Sequence, residues 1–521
     1  MKTLLRIRNF FSAHMPHLGS PRRRHSVREV RSPMDCIPNE ILSVVFHLIF
    51  LDPDENPTSS SSVSQVCSRW RDLAISTPKL WTRIAFTFPT TDAQHMYVGL
   101  CLERSDSQPL SILMDCRDPE WDWDEENHQF GWSAMQSILE QLLPHADRWE
   151  TLDILTDTWL PIYSFLRITS SNNITRLPHL LSISLSRCNA YFAATGQTFQ
   201  PLAFSEPITL FGGAAIPKLR EVCLVGVHVD WDNSPLQDLT TLEFKYHAHN
   251  VLPTLAQFNV ILDNCPRLEQ LAILGWGPRL DANPQMDVTA IVLPSLRKLS
   301  FGFVDISYGT QLLSMLQVPS LKELSLEDIR STVTPYPMDI HDSTQLLHWL
   351  YTSQPAARAS FASTTSDPSL PINPIPLQAV QFLELHNIHS NEATFASFFQ
   401  CFPSVTSLKC TEVADEALLA LSLFTVDYPR RLQNDRTGSR VGCHCPSLQT
   451  LHCQDATPQV LVDLVAERAV VGSVPPLRSV TLEYARNVKP TYDSEEYARL
   501  ERTGIRILGS TPSGSEASDS E

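Results

Sequence analysis

Residues with the most evident capacity for chemistry lie in the run GCHCPSLQTLHC, where Cys443, His444, Cys445, His452 and Cys453 fall close together. Thiolate and imidazole are the ligand types that zinc prefers. A plainer reading covers the same residues. Cys445 stands just before Pro446 as Cys265 stands before Pro266, and Cys453 fills an apolar strand position that Cys410 fills in an earlier copy of one pattern. A reduced cysteine behaves as a small apolar side chain, so these positions read as core, and no metal or other cofactor is expected. A second candidate is the acidic run DCRDPEWDWDEEN at 115–127, with Asp115, Asp118, Asp122, Asp124, Trp121 and Trp123. It lacks the glycine turn and terminal glutamate of a calcium-binding EF-hand loop, which leaves a partner-binding loop or a solvated surface loop. No G-x-S-x-G, P-loop, HExxH or dinucleotide fingerprint occurs, and Gly212-Gly213 and Gly275-Trp276-Gly277 read as turns. The expectation is that the chain is not an enzyme.

The elements around these candidates are more informative than the candidates. Residues 34–84 open MDCIPNEILSVVFHLIF. Pro38 suits a first helical turn, where a missing N–H costs nothing, and Glu40 complements the positive helix start. Ile41, Leu42, Val45, Phe46, Leu48 and Ile49 recur at helical spacing. Asp52-Pro53 stops that helix near Leu51, and DPDENPTSSSS reads as loop. A second helix is expected over SVSQVCSRWRDLA, with Val63, Val66, Cys67, Trp70, Leu73 and Ala74 on one stripe. Ser76-Thr77-Pro78 then leads into Leu80, Trp81 and Ile84. Three short helices in about 50 residues bury such faces only marginally alone, so part of the apolar surface must meet the following domain or a partner.

The fragments Ile37-Pro38-x-Glu40-Ile41-Leu42, Val66-Cys67-x-x-Trp70 and Pro78-x-Leu80-Trp81, in this order and spacing, resemble the F-box. That three-helix module docks receptors on the Skp-type adaptor of cullin–RING ubiquitin ligases. The long form ending in Thr-Pro-x-Leu-Trp is similar to F-box proteins abundant in mushroom-forming fungi. The resemblance implies an adaptor-binding set of Ile37, Pro38, Glu40, Ile41, Leu42, Trp70, Leu80 and Trp81. For Trp70, Leu80 and Trp81 the alternative is a place in the module's own core.

Beyond the module one pattern recurs, Pro-x-φ-x-x-φ-x-φ with φ apolar. Copies begin at Pro178, Pro217, Pro266, Pro294, Pro319, Pro403 and Pro446, and another reads PPLRSVTL from Pro475. Three more lack the proline, at 147–154, 237–244 and 378–385. The terminal φ-x-φ reads as a short strand with its apolar side chains on one face. Between copies lie amphipathic stretches at 254–265, 310–317, 391–402 and 458–470. A strand alternating with a helix at a repeat of 20 to 29 residues is the leucine-rich-repeat arrangement, a solenoid stacking a parallel sheet. Longer gaps coincide with inserts at 189–216, 330–376 and 428–444, so the repeats are irregular. The region also resembles the degenerate leucine-rich repeats that follow fungal F-boxes.

Composition sets the outer bounds. The 521 residues are 43% apolar and 19% charged, with net charge −17, which describes a folded chain of several domains or a repeat array. Residues 1–33 hold eight Lys/Arg against Glu29 alone, so the remainder is still more acidic. An acidic body repels phosphate backbones, and nucleic acid is not expected as a partner. No apolar run reaches the length of a membrane span. Twelve cysteines without a secretory signal point to reduced thiols and a cytoplasmic and/or nuclear location.

The expected architecture is therefore α/β, a three-helix F-box followed by an irregular leucine-rich-repeat solenoid with a parallel sheet. Its parts are a basic disordered head (1–33), the F-box (34–84), a cap or linker (85–144), the repeats (145–490) and an acidic disordered tail (491–521). The resemblance implies a non-catalytic substrate-recognition subunit of a cullin–RING, SCF-type ubiquitin ligase. Its partners would be a Skp-type adaptor, a cullin scaffold and an unknown target protein. The alternative is a protein-interaction scaffold whose F-box-like helices cap the solenoid.

Overall fold

The structure is a computed structural model. It describes residues 36–51, 59–122, 124, 127–172, 174–280, 290–333, 340–354, 375–426, 440–470, 475–484 and 502–508. The expected basic head at 1–33 lies outside them. Two compact units divide the chain: residues up to 168 with 172–183 and 214–218, and the remainder.

The first unit begins with helices α1 (Asn39–Leu51), α2 (Ser59–Ser64) and α3 (Ser68–Ile75), then a 3-10 turn at Pro78–Trp81. The single second helix expected from periodicity is two helices. The break lies at Cys67, whose backbone is extended (φ −157) and whose sulfur accepts from the Trp70 amide, capping α3. A capped, extended residue cannot continue a helix. Strands β1 (Arg83–Thr87), β2 (Leu110–Asp115) and β3 (Trp149–Thr156) follow, joined through α4 (Asp92–Arg104) and α5 (Trp132–Leu142). Ile84 pairs with Ile112 and Phe86 with Met114; Ile112 pairs in turn with Leu152 and Met114 with Ile154. All six side chains are buried. Parallel pairing requires crossovers of this kind, and helices are the usual ones. Residues 85–144, expected as a cap or linker, thus already contribute strands. β1 carries the leading φ but no proline (Trp81-x-x-Ile84-x-Phe86) and overlaps the expected F-box, whereas β2 has no leading φ before Ile112-x-Met114, and so the sheet begins earlier than expected.

Among the described residues, fourteen parallel strands of one sheet follow one another in sheet order as they do in the chain. The eleven copies of the sequence pattern correspond to β3 through β13. After β4 (Ser182–Arg187), the second unit holds β5 (Glu221–Val225), β6 (Thr241–Lys245), β7 (Gln270–Leu274), β8 (Lys298–Phe303) and β9 (Glu323–Asp328). It continues with β10 (Phe382–His386), β11 (Ser407–Thr411), β12 (Thr450–Gln454), β13 (Ser479–Glu483) and β14 (Ile505–Leu508). Register makes the pattern three-dimensional. Val222, Leu242, Leu271, Leu299, Leu324, Leu383, Leu408, Leu451, Val480 and Ile505 pair in succession along one row, and all are buried. The residue before each strand from β5 to β12 repeats one hydrogen-bond device: the carbonyl oxygen of Arg220 accepts from both Thr240 and Thr241 N–H, and that of Glu269 from Arg297 and Lys298. Several strands end on a left-handed residue. Tyr246, Asn387, Glu412 and Asp455 have φ between 53 and 58, and Gly226 and Gly275 hold the same place after β5 and β7.

Helices α7 (Leu255–Asp263), α8 (Ile306–Met315), α11 (Glu392–Phe399) and α13 (Pro458–Val470) lie where amphipathic stretches were read; between β3 and β4 stands α6 (Trp159–Ser171). The insert 330–376 is not loop throughout: it holds α9 (Arg330–Val333) and α10 (Thr344–Thr352), and α12 (Asp415–Leu419) follows β11. Strand β14 corrects the expectation of a disordered tail at 491–521. Val480 and Leu482 pair with Ile505 and Ile507, and Ile505 is buried. The four residues IRIL escape a pattern search because no proline or leading φ announces them.

Candidate functional site

Helix α1 is apolar on two faces, and only one is covered. Leu42 and Phe46 are buried, with the Trp70 ring packed on Phe46 at 4.9 Å between centroids. The opposite face presents Ile41, Val44, Val45 and Leu48, 54%, 56%, 41% and 63% exposed. These are positions i, i+3, i+4 and i+7, one stripe of a helix surface. Val66, between α2 and α3, and Ile75, at the end of α3, add further exposed apolar surface to the module. A contiguous apolar face left open on a folded module marks an interaction surface.

The rest of the module holds α1 in place. Arg69 of α3 donates to the carbonyl oxygen of Ile37 and, through Nε and Nη2, to Asn39 Oδ1 at 3.0 and 2.8 Å. Trp81 donates from Nε1 to the Ala74 carbonyl at 2.8 Å inside the module, and the Arg104 guanidinium lies 4.4 Å from its ring centroid. An indole N–H that finds a buried acceptor and a cation over its face is a structural anchor.

In the second unit the outward side chains of the strands form polar rows. Glu243, Ala272, Ser300, Ser325, Glu384 and Lys409 are register neighbours on β6 to β11. Lys245 pairs with Glu243 at 2.5 Å and Lys409 with Glu384 at 2.7 Å. His386 lies 3.2 Å from Glu327 and 3.8 Å from Glu412, and His452 lies 3.2 Å from Glu483. Burial raises the Glu243 carboxyl, but the hydrogen bond and charge of Lys245 together hold it below the ordinary range. The hydrogen bond with Glu327 raises His386; burial opposes it, and the charges of Glu327, Glu412 and Glu384 reinforce it.

Residues 34–87 match the F-box-like family, and residues 198–410 match the LRR repeats of an FBD-associated F-box protein. This is an F-box protein with leucine-rich repeats. It is of the substrate-receptor type, and the F-box implies an adaptor of the Skp type as partner. Comparison with curated proteins found no match. Among solved structures the chain is similar to one described as the crystal structure of Rad7 and Elc1 complex in yeast. That likeness has 11% identity and a TM-score of 0.33, over 90% of this chain and 92% of that one.

The F-box corrects part of the adaptor-binding set expected from sequence. Leu42, Leu80 and Trp81 are 1%, 2% and 1% exposed; they are the module's core and have no surface to offer a partner. Trp70 is half-buried against Phe46, so its larger part serves packing. Ile37 is half-buried, and Pro38, Glu40 and Ile41 are exposed around the start of α1. The exposed stripe also includes Val44, Val45 and Leu48, which lie outside the expected set. Their spacing from Ile41 was visible, but a helix apolar on both faces does not announce which stripe is covered.

Within the repeats, Cys445 and Cys453 are buried, and Cys453 pairs in register with Cys410. A hydrogen bond between these two thiols, with burial, raises Cys453 well above the ordinary thiol range. His444 contributes its backbone: its carbonyl oxygen accepts from Arg468 Nη2 at 2.7 Å. Among the described residues no three His, Cys, Asp or Glu side chains are grouped to hold a metal ion. The described residues of the acidic run at 115–127 are held by polar contacts within the run and to Asp157. Asp115 pairs with Arg117 at 2.7 Å, the Asp118 amide donates to Asp157 at 2.7 Å, and Trp121 Nε1 donates to the Asp124 carbonyl at 3.0 Å. Trp123 lies outside the described residues. No described helix is long and apolar enough to cross a membrane.

Proposed function

We propose that this protein is the substrate-recognition subunit of a cullin–RING, SCF-type ubiquitin ligase. The F-box docks on a Skp-type adaptor, which joins it to a cullin, and the repeats hold a target protein for ubiquitin transfer by other subunits. Its contribution is proximity and orientation rather than bond chemistry. The observation that carries this reading is the open stripe Ile41, Val44, Val45 and Leu48 on a helix whose other face is packed. An extended parallel sheet with a polar outward face suits a protein partner. The cytoplasm or the nucleus, where thiols stay reduced, is the compartment this reading requires.

Co-purification of the full chain with a Skp-type adaptor and a cullin tests the proposal. Ile41→Asp places a charge on an exposed position, so association should fall at least about tenfold, a loss near 1.4 kcal/mol, while thermal unfolding stays nearly unchanged. Leu42→Asp, one residue on but buried, should unfold the F-box instead. Failure of the unaltered chain to retain the adaptor would leave the scaffold reading in its place.

A further inference from the structure

The outward face of the repeats is not evenly filled. Ala272, Ser300 and Ser325 lie side by side on β7, β8 and β9, with Glu243 of β6 before them and Glu384 of β10 after them in the same row. Three short side chains between long ones leave a trough. Its cavity of about 230 Å³ is lined by Glu243 and Lys245 on one wall and by Glu384, His386 and Glu327 on the other. Leu274 closes one end: a Cβ added to Gly302 would lie 2.9 Å from Leu274 Cδ2, so the leucine already occupies that depression. The cavity is smaller than the ~300 Å³ at which small-molecule pockets begin, and it suits side chains of a protein partner.

Charge selects the partner. The face carries Glu243, Glu323, Glu327, Glu384 and Glu412 against Lys245, Lys298 and Lys409. Lys298 stands opposite Glu323 in register. With His386 neutral the carboxylates are in excess, on a chain that is itself at −17, and such a field draws in cations. Spacing selects the form. From β6 to β10 is four inter-strand steps, about 19 Å at ~4.8 Å each, and an extended chain covers that in about six residues. Alternate side chains of an extended segment share one face, so its first and seventh residues reach opposite walls.

We propose that this trough binds an extended target segment with two basic residues six positions apart, one against Glu243 and the other between Glu327 and Glu384, with apolar side chains between them over Ala272 and Ser300. The proposal rests on reading the repeats as the target-holding part. Lys245, 2.5 Å from Glu243, is the internal competitor for the first basic group, and Lys409 on Glu384 and His386 on Glu327 are those for the second. His386 faces Glu327 from β9, Glu384 from its own strand, whose partner is Lys409 of β11, and Glu412 beyond β11. Loss of the His386 proton releases Glu327, so binding strengthens as pH rises.

The probe is a fluorescein-labelled peptide of sequence Arg-Ser-Leu-Ser-Leu-Ser-Arg, with a twin in which both arginines are glutamates, titrated with the full chain and read by anisotropy. The arginine peptide should bind about tenfold or more tighter than its twin and more tightly as pH is raised. Glu243→Lys combined with Glu384→Lys should reverse the preference. Ser300→Trp, which fills the trough without altering charge, should weaken binding of the arginine peptide. Equal binding of the twins, binding of neither, or a preference that survives the double reversal would overturn the proposal. These positions are outward on the strands, and a thermal melt of each variant verifies folding. Adaptor retention separates the two readings: a failed peptide assay with the adaptor retained removes the trough alone, and a lost adaptor with peptide bound removes the ligase reading alone.

Discussion

His228 and His247 are enclosed in the second unit, each offered one backbone acceptor. His228 Nε2–H donates to the Ser205 carbonyl at 3.1 Å, with the Phe199 ring edge-on at 4.5 Å; His247 Nε2–H donates to the Val227 carbonyl at 2.7 Å, stacked on Phe244 at 3.8 Å. Burial pushes His228 down to about 4 and His247 to about 3; the carbonyl acceptors offset only part of this, and Arg187 adds to it at His228. Unfolding restores the ordinary 6.5, so the unfolded chain binds more protons than the folded one below that pH. Stability therefore falls as pH falls through the window from 6.5 toward 4. The drop is on the order of 3 kcal/mol for His228, at about 1.4 kcal/mol per pKa unit. His386 works in the opposite sense. Its raised value stabilises below the unfolded value, and that contribution is lost as pH rises through the folded one. Urea unfolding of the full chain at a series of pH values should show the midpoint falling on acidification, and His228→Gln should flatten the slope. A midpoint indifferent to acid would contradict the neutral, buried state of both rings.

Among the elements, α7 displays local rules agreeing with the global fold. Thr254 Oγ1 accepts from the Gln257 amide at 3.2 Å, Gln257 Oε1 accepts from the Thr254 amide at 2.9 Å, and Gln257 Nε2 reaches Asp232 at 2.7 Å. Such a reciprocal box satisfies two amides that a helix start leaves open. Thr254→Ala should cost about 1 kcal/mol and Gln257→Ala a similar amount; amide hydrogen exchange at 255–258 should accelerate in both. The strands were legible for a related reason. The leading φ of each copy packs beneath the turn into the strand, as Leu219, Leu239, Leu268, Leu296 and Leu321 do, so the turn and the strand are written in one motif. What stayed illegible were β2 and β14, which lack that preamble, β1, whose leading Trp81 falls inside the F-box, and the break at Cys67, which depends on a cap rather than on periodicity.

For the molecule as a whole, the ends of a stack decide its stability, because every inner strand has two neighbours and the last has one. Strand β14 covers β13 with Ile505 against Val480 and Ile507 against Leu482. Truncation after residue 501 would uncover those apolar groups and a row of unpaired amides and carbonyls. A loss of about 2–4 kcal/mol follows from the burial of one or two such side chains, together with a tendency to associate edge to edge. Calorimetry should register a lower Tm and light scattering a larger species; an unchanged Tm would mean that β14 is dispensable.

The sequence by itself determined that an F-box precedes the repeats and where the strands from β3 to β13 lie, because turn chemistry and apolar period are local properties of the chain. Only the tertiary structure decided which stripe of α1 is open and that Leu42, Leu80 and Trp81 are core. It alone also revealed that Ala272, Ser300 and Ser325, far apart in sequence, line up as one trough. Those are questions of what packs on what, and a period of 3.6 or 2 tells which residues share a face but not what covers it.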